Sequence, residues 1–335
     1  MKKIAINGFG RIGRPVFKIL FEKKDIEIVA INDLTDIPTL AHLLKYDSSY
    51  GIYNHEVEVE ADGILVDGKK VLILAEKEPA NLPWRDLKID IVLECTGLFT
   101  TFEKAKVHLE AGAKKVIISA SSESKEVKSL VLGVNEEEYD SEKDHIIANN
   151  SCTTNCIAPV ISVLHKNLIV KSGLMTTVHS YTNDQRLQDL PHKDLRRARA
   201  AALNIIPTET GAARAVATVI PDLKGKIDGL AYRVPTPTVS VAEFVCQVEE
   251  ATNREKVDKM FIEAAKSEKL KGILGVSLIP LVSMDYKGSP YSAIVDLPLT
   301  MVIDGKLVKV VAWYDNEWGY ATRLAEMAEY IAKKL

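Results

Sequence analysis

Residues 2–14 read Lys2-Lys-Ile-Ala-Ile-Asn-Gly-Phe-Gly-Arg-Ile-Gly-Arg14, and this stretch decides the fold. The apolar residues up to Ile6 read as a strand. Gly8-x-Gly10-x-x-Gly13 follows as a tight turn, and Val16, Phe17, Ile19, Leu20 and Phe21 then give the next segment one apolar helical face. Glycine serves such a turn in three ways: it permits the corner, it lets backbone approach a pyrophosphate, and it lets the helix pack on the strand. The helix N-terminus then faces the anion. A second strand, 26–31, ends at Asn32-Asp33, about the distance expected for a ribose-binding carboxylate. Such a carboxylate favours NAD because it repels the 2′-phosphate of NADP. The plainer reading of the same residues is a glycine turn that only makes a sharp corner.

Beyond the turn, strand patterns recur at 57–59, 64–66, 71–74, 89–94, 115–119 and 146–148, with a charged helix over 102–111 closed by Gly112. Strands alternating with helices predict a doubly wound parallel sheet of the Rossmann type. The character changes near residue 152. A helix over about 153–166 is followed by β-branched runs at 174–179, 227–234, 238–248, 293–303 and 307–313, the look of a mostly antiparallel sheet. Helical patterns interrupt it at about 210–218 and 254–268, and a last helix runs from 319 to 335. A chain of 335 residues is long for one core. The expected organisation is a dinucleotide-binding Rossmann domain over 1–150, with helix 319–335 packing back on it, and an α+β catalytic domain over 151–318.

Composition narrows the function classes. The chain is 47% hydrophobic and 27% charged, with a net charge of −3, so no global charge recruits nucleic acid or an anionic membrane. No apolar stretch reaches the length of a membrane span, and no signal segment precedes the first strand. Cys95, Cys152, Cys156 and Cys246 form no CxxC pair, which points to a reducing compartment, the cytosol. Cys152 and Cys156 stand one helical turn apart, but no further Cys/His pair completes a metal site. The basic run 194–199 is short and lacks interleaved aromatics, which argues against a nucleic-acid patch.

Ser151-Cys-Thr-Thr-Asn-Cys156 sits where a strand gives way to a helix. The N–H groups and positive dipole end of a helix stabilise a thiolate, so the pKa of Cys152 is expected to fall. A buried, inert cysteine is the alternative. With a nicotinamide cofactor, a poised thiol suggests addition to an aldehyde, loss of hydride from the hemithioacetal, and a thioester. A base is needed near the sulfur. His179, at the end of an apolar strand in the second domain, is the candidate.

The chain resembles the phosphorylating glyceraldehyde-3-phosphate dehydrogenases, bacterial and NAD-dependent in type, from end to end. The resemblance is carried by residues 7–14, Glu94-Cys-Thr-Gly-Leu-Phe-Thr100, 151–156, His179-Ser-Tyr-Thr-Asn-Asp-Gln185, Arg233-Val-Pro-Thr-Pro237 and Trp313-Tyr-Asp-Asn-Glu-Trp-Gly319. It implies Cys152 as nucleophile and His179 as base. It implies Gly8, Gly10, Arg11, Ile12, Gly13, Asp33, Lys77, Ser119 and Asn316 around NAD, with Asn316 on the nicotinamide amide. Thr182 and Arg233 resemble the site for the substrate's phosphate; Ser151, Thr153, Arg197, Thr210 and Gly211 resemble that for the attacking inorganic phosphate. The reaction implied is oxidation of glyceraldehyde 3-phosphate to 1,3-bisphosphoglycerate, by a homotetramer. Erythrose-4-phosphate dehydrogenase, which hydrolyses the thioester, and a non-catalytic RNA- or surface-binding protein are the alternatives. Two departures stand out: Ala120-Ser121-Ser122 where Ala-Pro is usual after Ser119, and Asn149-Asn150 where Asn-Ala is common.

Overall fold

The strand Lys2–Asn7 takes the centre of a nine-stranded sheet, between Ile26–Asn32 on one side and Ile91–Glu94 on the other. The computed structural model describes residues Met1–Leu335. Outward from Ile91–Glu94 come Lys115–Ile118, Ile146–Ala148 and Lys128–Ser129, all parallel. On the opposite side Lys69–Leu74 continues the parallel ladder, and Gly63–Val66 and Val57–Val59 close the edge antiparallel. Chain order reverses at Lys2–Asn7, so the glycine turn leaves the carboxyl end of the strand at the topological switch point, where open α/β sheets bind their ligands. Ile4, Ala5 and Ile6 are wholly buried there, as expected of a parallel strand covered on both faces.

Buried side chains pin the strand ends at this point. Asn7 Nδ2 donates to Glu94 Oε2 at 2.6 Å, and Asn32 Nδ2 donates to Asn7 Oδ1 at 2.7 Å. Trp84 Nε1 donates to His108 Nδ1 at 3.1 Å, so the ring's other nitrogen, 3.1 Å from Glu94 Oε2, carries the hydrogen and donates it. Three neighbouring strands are thereby tied together directly beneath the turn.

The second sheet has eight strands. Its spine runs Ile206–Glu209, Ile227–Val234, Val170–Ser180, Ser240–Val248, Leu307–Tyr314, Ala293–Asp296, Leu274–Ser277, with Met301–Ile303 paired to Leu307–Tyr314. Most neighbours are antiparallel; Val170–Ser180 with Ile227–Val234 and Leu274–Ser277 with Ala293–Asp296 are parallel. The helix Cys152–Leu168 belongs to this half and is buried along most of its length, Cys156, Ile157, Ala158, Val160 and Leu164 completely.

Backbone contacts divide the chain into two units. The first holds Met1–Leu130, Glu137–Asn150 and Ala321–Leu335; the second holds Val131–Glu136 and Ser151–Tyr320. The final helix, Trp318–Ala332, therefore starts in the second unit and delivers its buried Leu324, Met327 and Ile331 to the first.

Several local expectations change. The charged helix is two four-residue pieces, Phe102–Ala105 and Val107–Glu110, although Gly112 does close it with φ +113°. The run 293–303 is broken by a short 3-10 turn, Leu297–Leu299, because Pro298 lacks a donor for the ladder. The helix Ile37–Lys45, capped by Asp36 on Thr39 N–H, has no counterpart in the sequence reading.

Candidate active site

The first unit offers the dinucleotide turn. Gly8 has φ +94°, and a Cβ there would stand 2.7 Å from Thr96 N, so both conformation and space require glycine. A Cβ on Gly13 would meet Gly8 O at 2.2 Å, which is the close helix–strand contact. Gly10 differs. Its Cβ would meet nothing within 4 Å, so packing within the chain does not demand glycine there, and the open space leaves room for a ligand's approach. The helix Gly13–Phe21 begins after Ile12 with no side-chain cap; Arg14 N–H is taken by Gly10 O at 3.2 Å and Pro15 has none, which leaves Gly13 N–H for an anion. Asp33 accepts Phe9 N–H at 2.8 Å and Thr35 N–H at 3.0 Å, which aims the carboxylate while leaving lone pairs for a ribose hydroxyl. These residues fit a dinucleotide.

Other expected cofactor residues are placed less directly. The Arg11 guanidinium pairs with Asp47 at 2.6 Å, so a role on pyrophosphate falls to its backbone rather than its charge. Lys77 is exposed beside Glu76, whose backbone Asn32 holds on both sides. Ser119 N–H bonds Glu94 O at 2.9 Å, and its hydroxyl faces the Cys95 thiol. The missing proline after Ser119 is replaced by serine bonds: Ser124 N–H to Ser122 Oγ at 3.3 Å, and Phe102 N–H to Ser124 Oγ at 3.0 Å. Cys95 is partly exposed as a residue, while its thiol is covered.

In the second unit the sequence Ser-Cys-Thr-Thr turns into a helix because Ser151 caps it. Ser151 Oγ accepts Thr154 N–H at 3.1 Å. Asn150, immediately before the cap and at the end of the first unit, takes φ +59°, a left-handed conformation that asparagine tolerates. Its amide donates to Leu130 O at 2.9 Å and accepts from Ser129 Oγ at 3.0 Å. Cys152 is the first helical residue, and its Sγ lies 3.4 Å from His179 Nε2.

The register of the second sheet supplies the rest. His179 and Arg233 are paired across the parallel ladder, which brings their side chains to one end of the sheet. Arg233 Nη1 lies 3.0 Å from Ser180 O, 3.3 Å from Thr182 Oγ1 and 2.9 Å from His179 Nδ1. Ser180 O is also 2.7 Å from Nδ1. Nδ1 thus stands between a carbonyl, which only accepts, and a guanidinium, which only donates. With its hydrogen given to Ser180 O, Nε2 presents a lone pair to the sulfur, the tautomer a base requires.

Electrostatics correct one expectation. Burial pushes the Cys152 thiol up from its ordinary range, against the opposing pull of Arg233 and Thr153; desolvation outweighs the helix end. Burial, and then the Arg233 charge, push His179 down to about 3 from the ordinary 6.5. Both shifts favour the uncharged forms of the pair. Burial also pushes Cys95 and Cys246 up to about 12, and raises Cys156 well above the ordinary thiol range.

The depressed histidine has a consequence for stability. Because its folded pKa lies below the unfolded value, its contribution is full above pH 6.5 and is lost as pH falls from there towards 3. Relative to His179→Asn, which cannot titrate, the wild-type chain should lose about 1.4 kcal/mol per pH unit below pH 6. Melting temperatures of both proteins at pH 7, 6 and 5 measure the difference; parallel curves would contradict it.

The expected phosphate ligands are unevenly placed. Thr182 and Arg233 are together. Thr210 Oγ1 accepts Ala212 N–H at 3.2 Å, and Gly211, exposed, starts the helix Ala212–Val219. Arg197 reaches Thr208 Oγ1 at 2.9 Å and pairs closely with Asp184. The Thr153 hydroxyl is turned to Tyr314 OH at 2.9 Å, a buried phenol that also meets Thr177 Oγ1 at 2.8 Å. Sequence reasoning gave Tyr314 no task, although it stands beside Asn316 in the last motif and packs edge-on to His179 at 6.0 Å.

Comparison with known proteins agrees with this geometry. Residues 2–102 match the family model for the glyceraldehyde 3-phosphate dehydrogenase NAD binding domain, and residues 151–316 that for the C-terminal domain of the same enzymes. The glyceraldehyde-3-phosphate dehydrogenase of Geobacillus stearothermophilus is 57% identical over 332 residues, covering 99% of this chain and 98% of its own. Glyceraldehyde-3-phosphate dehydrogenase 1 of Bacillus subtilis is 53% identical over 332 residues, with the same coverage. That of Bacillus cereus is 52% identical over 334 residues, or 100% of this chain and 99% of its own. This chain belongs to the glyceraldehyde-3-phosphate dehydrogenase family.

Proposed function

We propose that this chain oxidises glyceraldehyde 3-phosphate to 1,3-bisphosphoglycerate with NAD and inorganic phosphate, using Cys152 as nucleophile and His179 as base. The observation that carries this reading is the 3.4 Å approach of Cys152 Sγ to His179 Nε2 at a helix start. His179 takes the thiol proton as sulfur attacks the aldehyde carbon, and the hemithioacetal forms on Cys152. Bound NAD supplies the hydride acceptor. Loss of hydride leaves a thioester on Cys152, which inorganic phosphate attacks, releasing the sulfur.

Arg233 has two effects in this scheme. It holds the substrate's phosphate with Thr182, and its charge depresses His179 while the chain is free of substrate. An anion on Arg233 offsets that charge and raises the affinity of His179 for a proton. The substrate's own phosphate thereby strengthens the base it needs. Thr210, the Gly211 backbone and Arg197 are the groups proposed for the attacking phosphate, with Ser151 and the Thr153 backbone at the cap. Gly8, Gly10, Arg11, Ile12, Gly13, Asp33, Lys77 and Ser119 are proposed around the cofactor, and Asn316 on its carboxamide. The first unit is thus the NAD-binding domain and the second the catalytic one.

A homotetramer in the cytoplasm is the matching setting. The exposed apolar side chains Leu195 and Leu203, each 80% exposed, and Leu278, 70% exposed, are available to subunit contacts.

Initial rates followed at 340 nm test the reading. With glyceraldehyde 3-phosphate, turnover is expected to require phosphate or arsenate. Phosphate-independent turnover of erythrose 4-phosphate at a higher kcat/KM would assign the chain to hydrolytic deacylation instead.

A further inference from the structure

Asn316 lies two residues beyond the strand Leu307–Tyr314, and its backbone is fixed by its neighbour. Asp315 Oδ1 accepts Glu317 N–H at 3.0 Å and Trp318 N–H at 2.9 Å, and Oδ2 accepts Gly288 N–H at 2.8 Å. The Asn316 side chain is held by a single group, Ser240 Oγ, 3.0 Å from Oδ1. The sheet register brings this about, since Ser240 is paired with Tyr314.

The direction of that bond follows from the other partner of Ser240. Ser180 N–H donates to Ser240 Oγ at 3.1 Å, so the hydroxyl accepts there and has its own hydrogen to give. Asn316 Oδ1 receives it. A flipped amide would face Ser240 with its NH2 and leave the hydroxyl hydrogen without an acceptor, at a residue 1% exposed. Oδ1 is therefore turned to Ser240 and Nδ2 away from it. The backbone beside Ser240 is strained: Val239, buried and β-branched, has φ +67°, and Ser180 Oγ donates to its carbonyl at 2.8 Å. Strain of this kind persists where the surroundings over-determine it, and it clusters at working sites.

We propose that Ser240 is a positioning residue for the nicotinamide end of the cofactor: it locks Asn316 so that a donor, not an acceptor, is offered to the carboxamide. The same hydroxyl bonds the backbone directly after His179, so one side chain sets both the cofactor contact and the strand that carries the base. This rests on the reading that Asn316 meets the nicotinamide, and the test separates the two.

Calorimetric titration with NAD, and with ADP-ribose, which lacks the nicotinamide, is made on the wild type, Ser240→Ala, Asn316→Ala and the double variant. Ser240→Ala is expected to weaken NAD about fivefold, the worth of one buried hydrogen bond, and to leave ADP-ribose unchanged. The double variant should bind NAD no more weakly than Asn316→Ala alone. Ser240→Thr, which keeps the hydroxyl, should restore the affinity. Equal weakening of both ligands, or losses that multiply in the double variant, would overturn the proposal. If Asn316→Ala weakens NAD and Ser240→Ala does not, the proposal alone falls. If Asn316→Ala leaves NAD binding intact, the reading of Asn316 falls and takes the proposal with it.

Discussion

Cys152→Ser is expected to lower kcat/KM for glyceraldehyde 3-phosphate by ~10⁴-fold or more, with NAD still bound at close to wild-type affinity. A serine hydroxyl at this position has the same cap and the same histidine at 3.4 Å, so geometry is kept and nucleophilicity is what changes. The alkoxide is far harder to form than the thiolate, and an ester would replace the thioester, a poorer acyl donor to phosphate. Isothermal titration with NAD and steady-state rates at 340 nm separate binding from chemistry. A chain that served only as an RNA- or surface-binding protein would keep its biological activity in this variant, and retention would remove the enzymatic reading.

His179→Asn should slow acylation by roughly 10²–10⁴-fold, the usual worth of a positioned base. The upper part of that range is favoured by the state of the thiol. Burial pushes Cys152 up rather than down, so few sulfurs are ionised before the base acts, and the proton must be removed during attack. In the variant, solvent must do it. The acylation rate should then climb with pH through the alkaline range, where the wild-type rate is flat. Rapid-mixing measurement of the NADH burst at several pH values checks both statements. An unchanged burst amplitude and rate at neutral pH would exclude His179 from proton transfer.

Much of the architecture is legible in short patterns because short patterns cause it. The corner at Gly8 is a local conformation with φ +94°, and the helix after it is a local periodicity. The same holds for the cap at Ser151. What escapes the sequence is decided by distant partners. Whether Cys152 ionises easily depends on how much chain covers it, which no local motif records, and the expected fall in its pKa was reversed by burial. The Thr153 hydroxyl is drawn to Tyr314, 161 residues away, by the need of a buried phenol for a partner. Ser240 is one serine in a β-branched run until sheet register sets it beside Tyr314 and within reach of Asn316. Asn150 departs from the family pattern, and its place is set by a left-handed backbone angle together with bonds to residues 129 and 130.

The first unit is assembled from three separate pieces of chain, the last being Ala321–Leu335. A ribosome makes the pieces in order, and the whole catalytic segment from Ser151 to Tyr320 emerges before the third appears. Until then the sheet that carries the glycine turn lacks the side chains of Leu324, Met327 and Ile331, which are fully buried in the finished protein. Cys152 and His179 are therefore synthesised before the first unit is complete. A chain shortened by this last piece lacks those buried side chains of the first unit.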